Sequence, residues 1–326
     1  MNIFLTIPAF NPPHGGIRVL IEWANRLTQW HNVTLYCPKP SRCEWKEISP
    51  AVYVTSNANL MIKSDCLIIG SPHAIHLQRH PARPKKIFLF MQMMEHMFRP
   101  HDIEWNAMCK EFYTSPHPLI SISKWNIEAL QKDYGRTAPT HYVGNGVNLN
   151  DFPIEHQEKD GKTVLVEGWE GYNPTKDVEH IGPKVAYRLK QDGYKIIAYG
   201  QVPIKFYPLV PDKYYLCPDL KTLNYIYSKA TIMIKASRYD ARSCAPMESM
   251  TKGTVTARAI IDGDDDLIGG RNCAKVGYTE HELYGAALML LRNSDTRKMM
   301  ADNCRKHVLD FSWQYWMEKI NEILIS

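Results

Sequence analysis

The feature that most constrains this chain is an alternation of apolar strand-like runs with helical stretches that is set out once, broken, and begun again. In the first half NIFLTI (2–7), NVTLYC (32–37), AVYVTS (51–56), DCLIIG (65–70), KIFLFM (86–91), PLISIS (118–123) and THYVG (140–144) read as strands. Between the first two, Ile17, Leu20, Trp23, Ala24 and Leu27 recur at helical spacing and define an amphipathic helix. The turn signal Asn145-Gly146 is followed by DFPIEHQEKDGK (151–162), polar enough to read as a linker. Strands then resume with TVLVEG (163–168), KIIAYG (195–200), TIMIKA (231–236) and TVTARA (254–259), with helices at about 178–191, 219–228 and 244–252. Such alternation specifies the α/β class, a parallel sheet wrapped by helices. A chain of 326 residues exceeds one ordinary core and suits two domains of about 150 residues. The expected units are 1–150, 151–310 and a last helical segment, 311–326, whose Trp313, Trp316, Met317, Ile320 and Leu324 share one face and call for a domain surface to cover them.

Charge and cysteine usage narrow the class. Residues 1–150 hold 15 Lys+Arg against 10 Asp+Glu, whereas 151–326 hold 24 against 24, so the net charge of +5 sits entirely in the first half. Much of it gathers in RHPARPKK, where Arg79, His80, Arg83, Lys85 and Lys86 lie close together. This is either a solvated loop or a docking surface for an acidic partner. The eight cysteines form no C-x-x-C pair and several lie in apolar runs, the usage of reduced core thiols in a cytoplasmic protein. MNIFLTIPAF lacks a basic leader and breaks at Pro8, so it reads as a first strand. No apolar run approaches the roughly 20 residues that span a bilayer, so any membrane contact is expected to be peripheral.

Chemistry concentrates in ASRYDARSCAPMESMTKGTVTARA (236–259). Asp240 is placed on the loop leaving a strand and Glu248 inside the next helix, so two carboxylates stand beside a helix start whose free N–H groups favour an anion. Carboxylates accept only, which suits vicinal hydroxyls. Taken alone, the pair equally fits ordinary surface charges. In PAFNPPHGGIR (8–18), Gly15-Gly16 opens the first helix and lets backbone N–H groups approach an anion, although diglycine turns are also common structural devices. The spacing is not G-x-G-x-x-G, which argues against a nicotinamide site.

Together with ISISKWNIEALQKDYG (120–135), VGNGVNLNDF (143–152) and RKMMADNCRKHVLDFSWQYW (297–316), these segments make the chain resemble the GT-B glycosyltransferases of the family 4 type over almost its whole length. The resemblance implies two Rossmann-like doubly wound domains facing across a cleft, the second holding a nucleotide-sugar donor and the first an acceptor. It implies a hexosyl- or pentosyltransferase that retains anomeric configuration, with Glu248 on the ribose hydroxyls, Asp240 at the donor sugar, and Ser243, Cys244 and Ala245 beside the donor. No cofactor and no metal are expected. Asp264, Asp265 and Asp266 invite a metal, but they lie in a glycine-bounded loop that solvates acids easily.

Two departures stand out. The family usually carries Glu at the position of Asp240, whose shorter side chain loses roughly 1.5 Å of reach. It also commonly has an Arg and a Lys near the diphosphate; here Trp169 stands at the Arg position and Lys176 serves as the Lys. Arg242 is the candidate replacement, since a cation there opposes charge developing on the leaving diphosphate. In the acceptor domain Gln92, Glu95 and His96 follow the strand KIFLFM, where α/β sheets expose functional loops, and Glu95 or His96 is placed to orient or deprotonate a hydroxyl. The basic first half leads to the expectation of an anionic acceptor, a membrane-surface glycolipid or glycan precursor or a hydroxyl-modified DNA base. A nucleotide-sugar epimerase on the same fold, and a degenerate binder of sugar nucleotides or nucleic acid, remain alternatives.

Overall fold

The computed structural model describes residues 1–11, 15–39, 43–168, 177, 179–201, 203, 211–263 and 267–326. It contains two units, Met1–Asn145 with Gln314–Ser326, and Gly146–Trp313. The first comprises β1 (Asn2–Thr6), α1 (Gly15–Leu27), β2 (Asn32–Tyr36), β3 (Val52–Thr55), β4 (Cys66–Ile69), β5 (Lys86–Met91), α2 (Ile103–Thr114), β6 (Leu119–Ser121), α3 (Lys124–Tyr134) and β7 (Thr140–Tyr142). Its strands lie in the order β3-β2-β1-β4-β5-β6-β7 and every pairing is parallel. A strand covered on both faces reads as an unbroken apolar run, and every residue of β4, CLII, is buried. Helices α2 and α3, which hydrophobic spacing did not announce, start at Asp102 and Ser123, whose side chains accept from the Trp105 and Trp125 amides; α3 stops at Gly135 with φ of 60°.

The second unit comprises β8 (Thr163–Glu167), α4 (Ile181–Gln191), β9 (Lys195–Gly200), β10 (Lys213–Leu216), α5 (Leu220–Lys229), β11 (Ile232–Asp240), α6 (Cys244–Met250), β12 (Val255–Gly263), β13 (Cys273–Val276), α7 (Glu280–Arg292) and α8 (Ser294–Asp310). Its order, β10-β9-β8-β11-β12-β13, is again wholly parallel. The edge strands β10 and β13, four residues each, escaped the sequence reading because short edge strands carry little periodic signal. Strands β11 and β12 run nine residues each and stay paired to Asp240 and Gly263. Asp240 therefore ends a strand, where the sequence placed it on the following loop.

In each sheet the chain order reverses beside the first strand, between β1 and β4 and between β8 and β11. Loops leaving those neighbours diverge, so the crevice past their carboxyl ends is where such sheets bind ligands. The polar stretch 151–162 is pinned rather than loose. Lys159 Nζ donates to the Tyr227 and Ser228 carbonyls and to Thr254 Oγ1, at 3.2, 2.7 and 3.3 Å, satisfying the last carbonyls of α5.

The chain ends in α9 (Trp313–Ile325). Within the first unit the Trp316 ring meets Tyr142 edge-on at 5.6 Å and Asn321 Oδ1 lies 2.7 Å from His31 Nε2, while Trp316, Met317, Ile320 and Leu324 are buried. Gly146, opening the second unit, lies against Trp313: a Cβ there would stand 2.6 Å from the Trp313 amide nitrogen, a backbone atom that cannot rotate aside. Gly146→Ala is expected to cost about 1–3 kcal/mol through overpacking and to lower the apparent Tm, measured by thermal unfolding followed by circular dichroism.

Candidate functional site

Strand register builds the centre of the site. Ile234 of β11 pairs with Val166 of β8, so the next residues, Lys235 and Glu167, are neighbours; Lys235 also pairs with Arg258 of β12, and Glu167 with Tyr199 of β9. In a parallel sheet register partners share a face, so Tyr199, Glu167, Lys235 and Arg258 form a row across four strands at the chain-order reversal. Lys235 Nζ pairs with Glu167 Oε2 and lies 3.6 Å from Asp240 Oδ2. Arg258 Nη2 reaches the same Oδ2 at 3.3 Å. Burial works against charge on Lys235, but Glu167 and Asp240 outweigh it, and its pKa is raised. Neither Lys235 nor Arg258 was singled out in the sequence. The signal was there: each is the one charged residue in its sequence-read strand, TIMIKA or TVTARA.

Asp240 and Glu248 are each 5% exposed, which excludes the reading of them as ordinary surface charges. Glu248 sits on α6, where Oε2 accepts from the Tyr227 hydroxyl at 3.2 Å; that hydroxyl lies 3.2 Å from the Tyr199 hydroxyl. Burial, then Glu167, raises the Tyr199 pKa. Ser243 precedes the helix without capping it through its side chain; Ser243 and Ala245 are buried and Cys244 half-buried. Gly263 faces the end of β11 with φ of 94°, and a Cβ there would collide with the Asp240 carbonyl oxygen. Only glycine lets the two strands stay paired to that point. Arg242 is buried, its guanidinium carbon 4.6 Å from the Phe311 ring centroid. Lys176, Trp169 and Asp264, Asp265 and Asp266 lie outside the described residues.

In the first unit Gly15 and Gly16 open α1, and Gln92, just past β5, donates from Nε2 to the Gly16 carbonyl at 3.0 Å, tying the diglycine to the carboxyl edge of the sheet. Glu95 and His96 begin a short 3₁₀ turn, Glu95–Phe98. The Trp105 indole donates to the Glu95 carbonyl at 3.0 Å, and His96 Nδ1 lies 3.4 Å from the Tyr113 hydroxyl. The Glu95 backbone and the His96 ring thus address the layer of α2 and α3. Glu95 keeps part of its surface exposed, yet its carboxyl is withdrawn from water and desolvation pushes it up to about 8. Desolvation lowers the His96 pKa, against Asp133. Burial, then Glu95, pushes the Cys109 thiol up to about 12.

The basic residues do not join this group. Arg79 is exposed and engages Glu111 through both guanidinium nitrogens, at 2.7 and 3.2 Å. Arg83 and Lys85 precede β5 and Lys86 opens it, at the amino edge of the sheet, whereas Glu95 and His96 follow its carboxyl end. A six-residue strand, about 20 Å, separates them.

The raised Glu95 pKa makes stability pH-dependent. Between the usual carboxylate value, 4.5, and about 8 the folded state holds a proton that the unfolded state has released, so this contribution is complete below the lower limit and is lost as pH rises through about 8. Thermal melts at pH 5 to 9 are expected to show the midpoint falling across that window, roughly a three-unit span, with Glu95→Gln flattening the fall.

Comparison with known proteins agrees with this architecture. No family model matches the chain, and no curated protein matches it in sequence. Among solved structures, it superposes on a sucrose-phosphate synthase from Thermosynechococcus elongatus with a TM-score of 0.76 at 13% identity, covering 99% of this chain and 98% of that one. HepE of Anabaena in complex with UDP-glucose gives 0.77 at 14% identity, with 99% of each chain covered. WaaG, a glycosyltransferase involved in lipopolysaccharide biosynthesis, gives 0.72 at 13% identity, also with 99% of each covered. Two wholly parallel sheets whose order reverses beside the first strand, and likeness of this extent to such structures, give the chain the GT-B fold of two Rossmann-like doubly wound domains.

Proposed function

We propose that this protein is a nucleotide-sugar-dependent glycosyltransferase that moves a sugar to an acceptor hydroxyl with retention of configuration. The observation that carries the reading is the burial of two carboxylates, Asp240 and Glu248, at the chain-order reversal of the second sheet of a GT-B fold. The second unit holds the donor. Glu248, its Oε2 already oriented by the Tyr227 hydroxyl, takes the ribose hydroxyls, and Asp240 faces the donor sugar. The solved neighbour holding UDP-glucose supports a nucleotide sugar as the co-substrate class.

The acceptor belongs to the first unit. Its hydroxyl attacks the anomeric carbon on the face the diphosphate leaves, a C–O bond forms as the C–O bond to phosphate breaks, and the departing phosphate takes the proton. No metal and no dedicated protein base are required by this route. The basic edge at Arg83, Lys85 and Lys86 favours an anionic acceptor, a membrane-surface glycan precursor or a nucleic acid carrying a hydroxyl, and transfer to either weakens as salt rises.

A nucleotide-sugar screen by thermal stabilisation is expected to find one donor, since ligand at about 100 Kd adds about 2.7 kcal/mol. Hydrolysis of that donor, slow alone and faster with acceptor, marks a transferase; an altered sugar marks an epimerase, and no turnover a binder. Added chelator is expected to leave turnover unchanged. Glu248→Ala should weaken nucleotide affinity about ten- to a hundred-fold, the worth of hydrogen bonds to a charged group, read by calorimetry. Arg242→Ala is expected to lower kcat about 100-fold, the usual effect of removing one group that stabilises developing charge, and unchanged turnover would exclude Arg242 from the diphosphate.

A further inference from the structure

We propose that Lys235 and Arg258 are positioning residues for Asp240, an inference that rests on the donor site proposed above. Both cations converge on one oxygen, Oδ2, with Lys235 Nζ at 3.6 Å and Arg258 Nη2 at 3.3 Å. Fixing Oδ2 fixes the direction of Oδ1, the oxygen that takes the sugar hydroxyl. Asp240 has one methylene fewer than Glu and so two side-chain torsions instead of three; tied at Oδ2, it presents Oδ1 in a single orientation. Lys235 is itself held by Glu167, which ends β8. The row Glu167, Lys235, Arg258 is dictated by register, so the strands themselves set where Oδ1 points. Arg258 is fully buried and Lys235 nearly so, and neither touches substrate in this account. They act through Asp240.

The consequence is a division of labour within the donor. Recognition of the nucleoside diphosphate rests on Glu248 and its Tyr227 support, and recognition of the sugar rests on the clamped Asp240. Damage to the clamp should remove the affinity advantage of a nucleotide sugar over its own nucleoside diphosphate while sparing the diphosphate.

The test compares binding of nucleotide sugars with their nucleoside diphosphates, UDP-glucose against UDP and GDP-mannose against GDP, by calorimetry, alongside kcat and donor KM. In the unmutated protein the sugar nucleotide is expected to bind more tightly. Lys235→Met should erase that preference and lower kcat about ten-fold, with diphosphate affinity unchanged, and Lys235→Arg should restore it. Arg258→Lys, which keeps the buried charge and shortens its reach, gives the same readout if Lys235→Met fails to fold. Variants that lose only thermal stability and keep both preference and kcat overturn the clamp while the transferase reading stands. An unmutated protein that binds no nucleotide sugar of a full donor panel overturns both.

Discussion

The second unit of this molecule depends on a group of charges that persist in the interior only as a set. Lys235, Arg258 and Asp240 are buried, and Glu167 is partly so, with each cation opposed by a carboxylate. Removing charges from water costs several kcal/mol per ion, recovered only where the partners' geometry is good. Parallel pairing supplies that geometry, because Glu167, Lys235 and Arg258 are register neighbours on β8, β11 and β12. Changing any one of them leaves an uncompensated charge, so strand register and electrostatics are selected together.

Everything around this set follows from letting β11 and β12 run to their ends. Gly263 allows the Asp240 carbonyl to approach its neighbour, α6 begins four residues later, and Glu248 comes to rest against Tyr227. The first unit uses the same topology with different chemistry. There the chain-order reversal carries a diglycine tied by Gln92, and the carboxyl past β5 is withdrawn from water. One sheet architecture thus gives one acidic site paired with buried cations and one whose carboxyl pKa desolvation raises.

Much of the fold was legible in the residues. Apolar runs marked the central strands because strands covered on both faces must be apolar throughout, and the acid pair of 236–259 stood out by type and spacing. The edge strands β10 and β13 were not legible, since KYYL and CAKV mix polar and apolar residues over four positions. Helices α2 and α3 were not legible from hydrophobic spacing; Asp102 and Ser123, whose side chains cap them, were the local signals present. The basic run RHPARPKK was visible as composition, but not its place at the amino edge of the first sheet, nor that Arg79 is taken up by Glu111, thirty-two residues away.

The sequence by itself determined the α/β class, the strand–helix alternation set out in each half, and the carboxylates that stand together in 236–259, because periodicity and side-chain chemistry are local properties. Only the tertiary structure decided which of those side chains work together. Lys235 and Arg258 gain their partners only through register, which sets them beside Glu167 and near Asp240, and register is a relation between segments distant in the chain. The acid pair that drew attention first is thereby divided: Glu248 rests on a tyrosine hydroxyl, and Asp240 on two buried cations that no short motif contains.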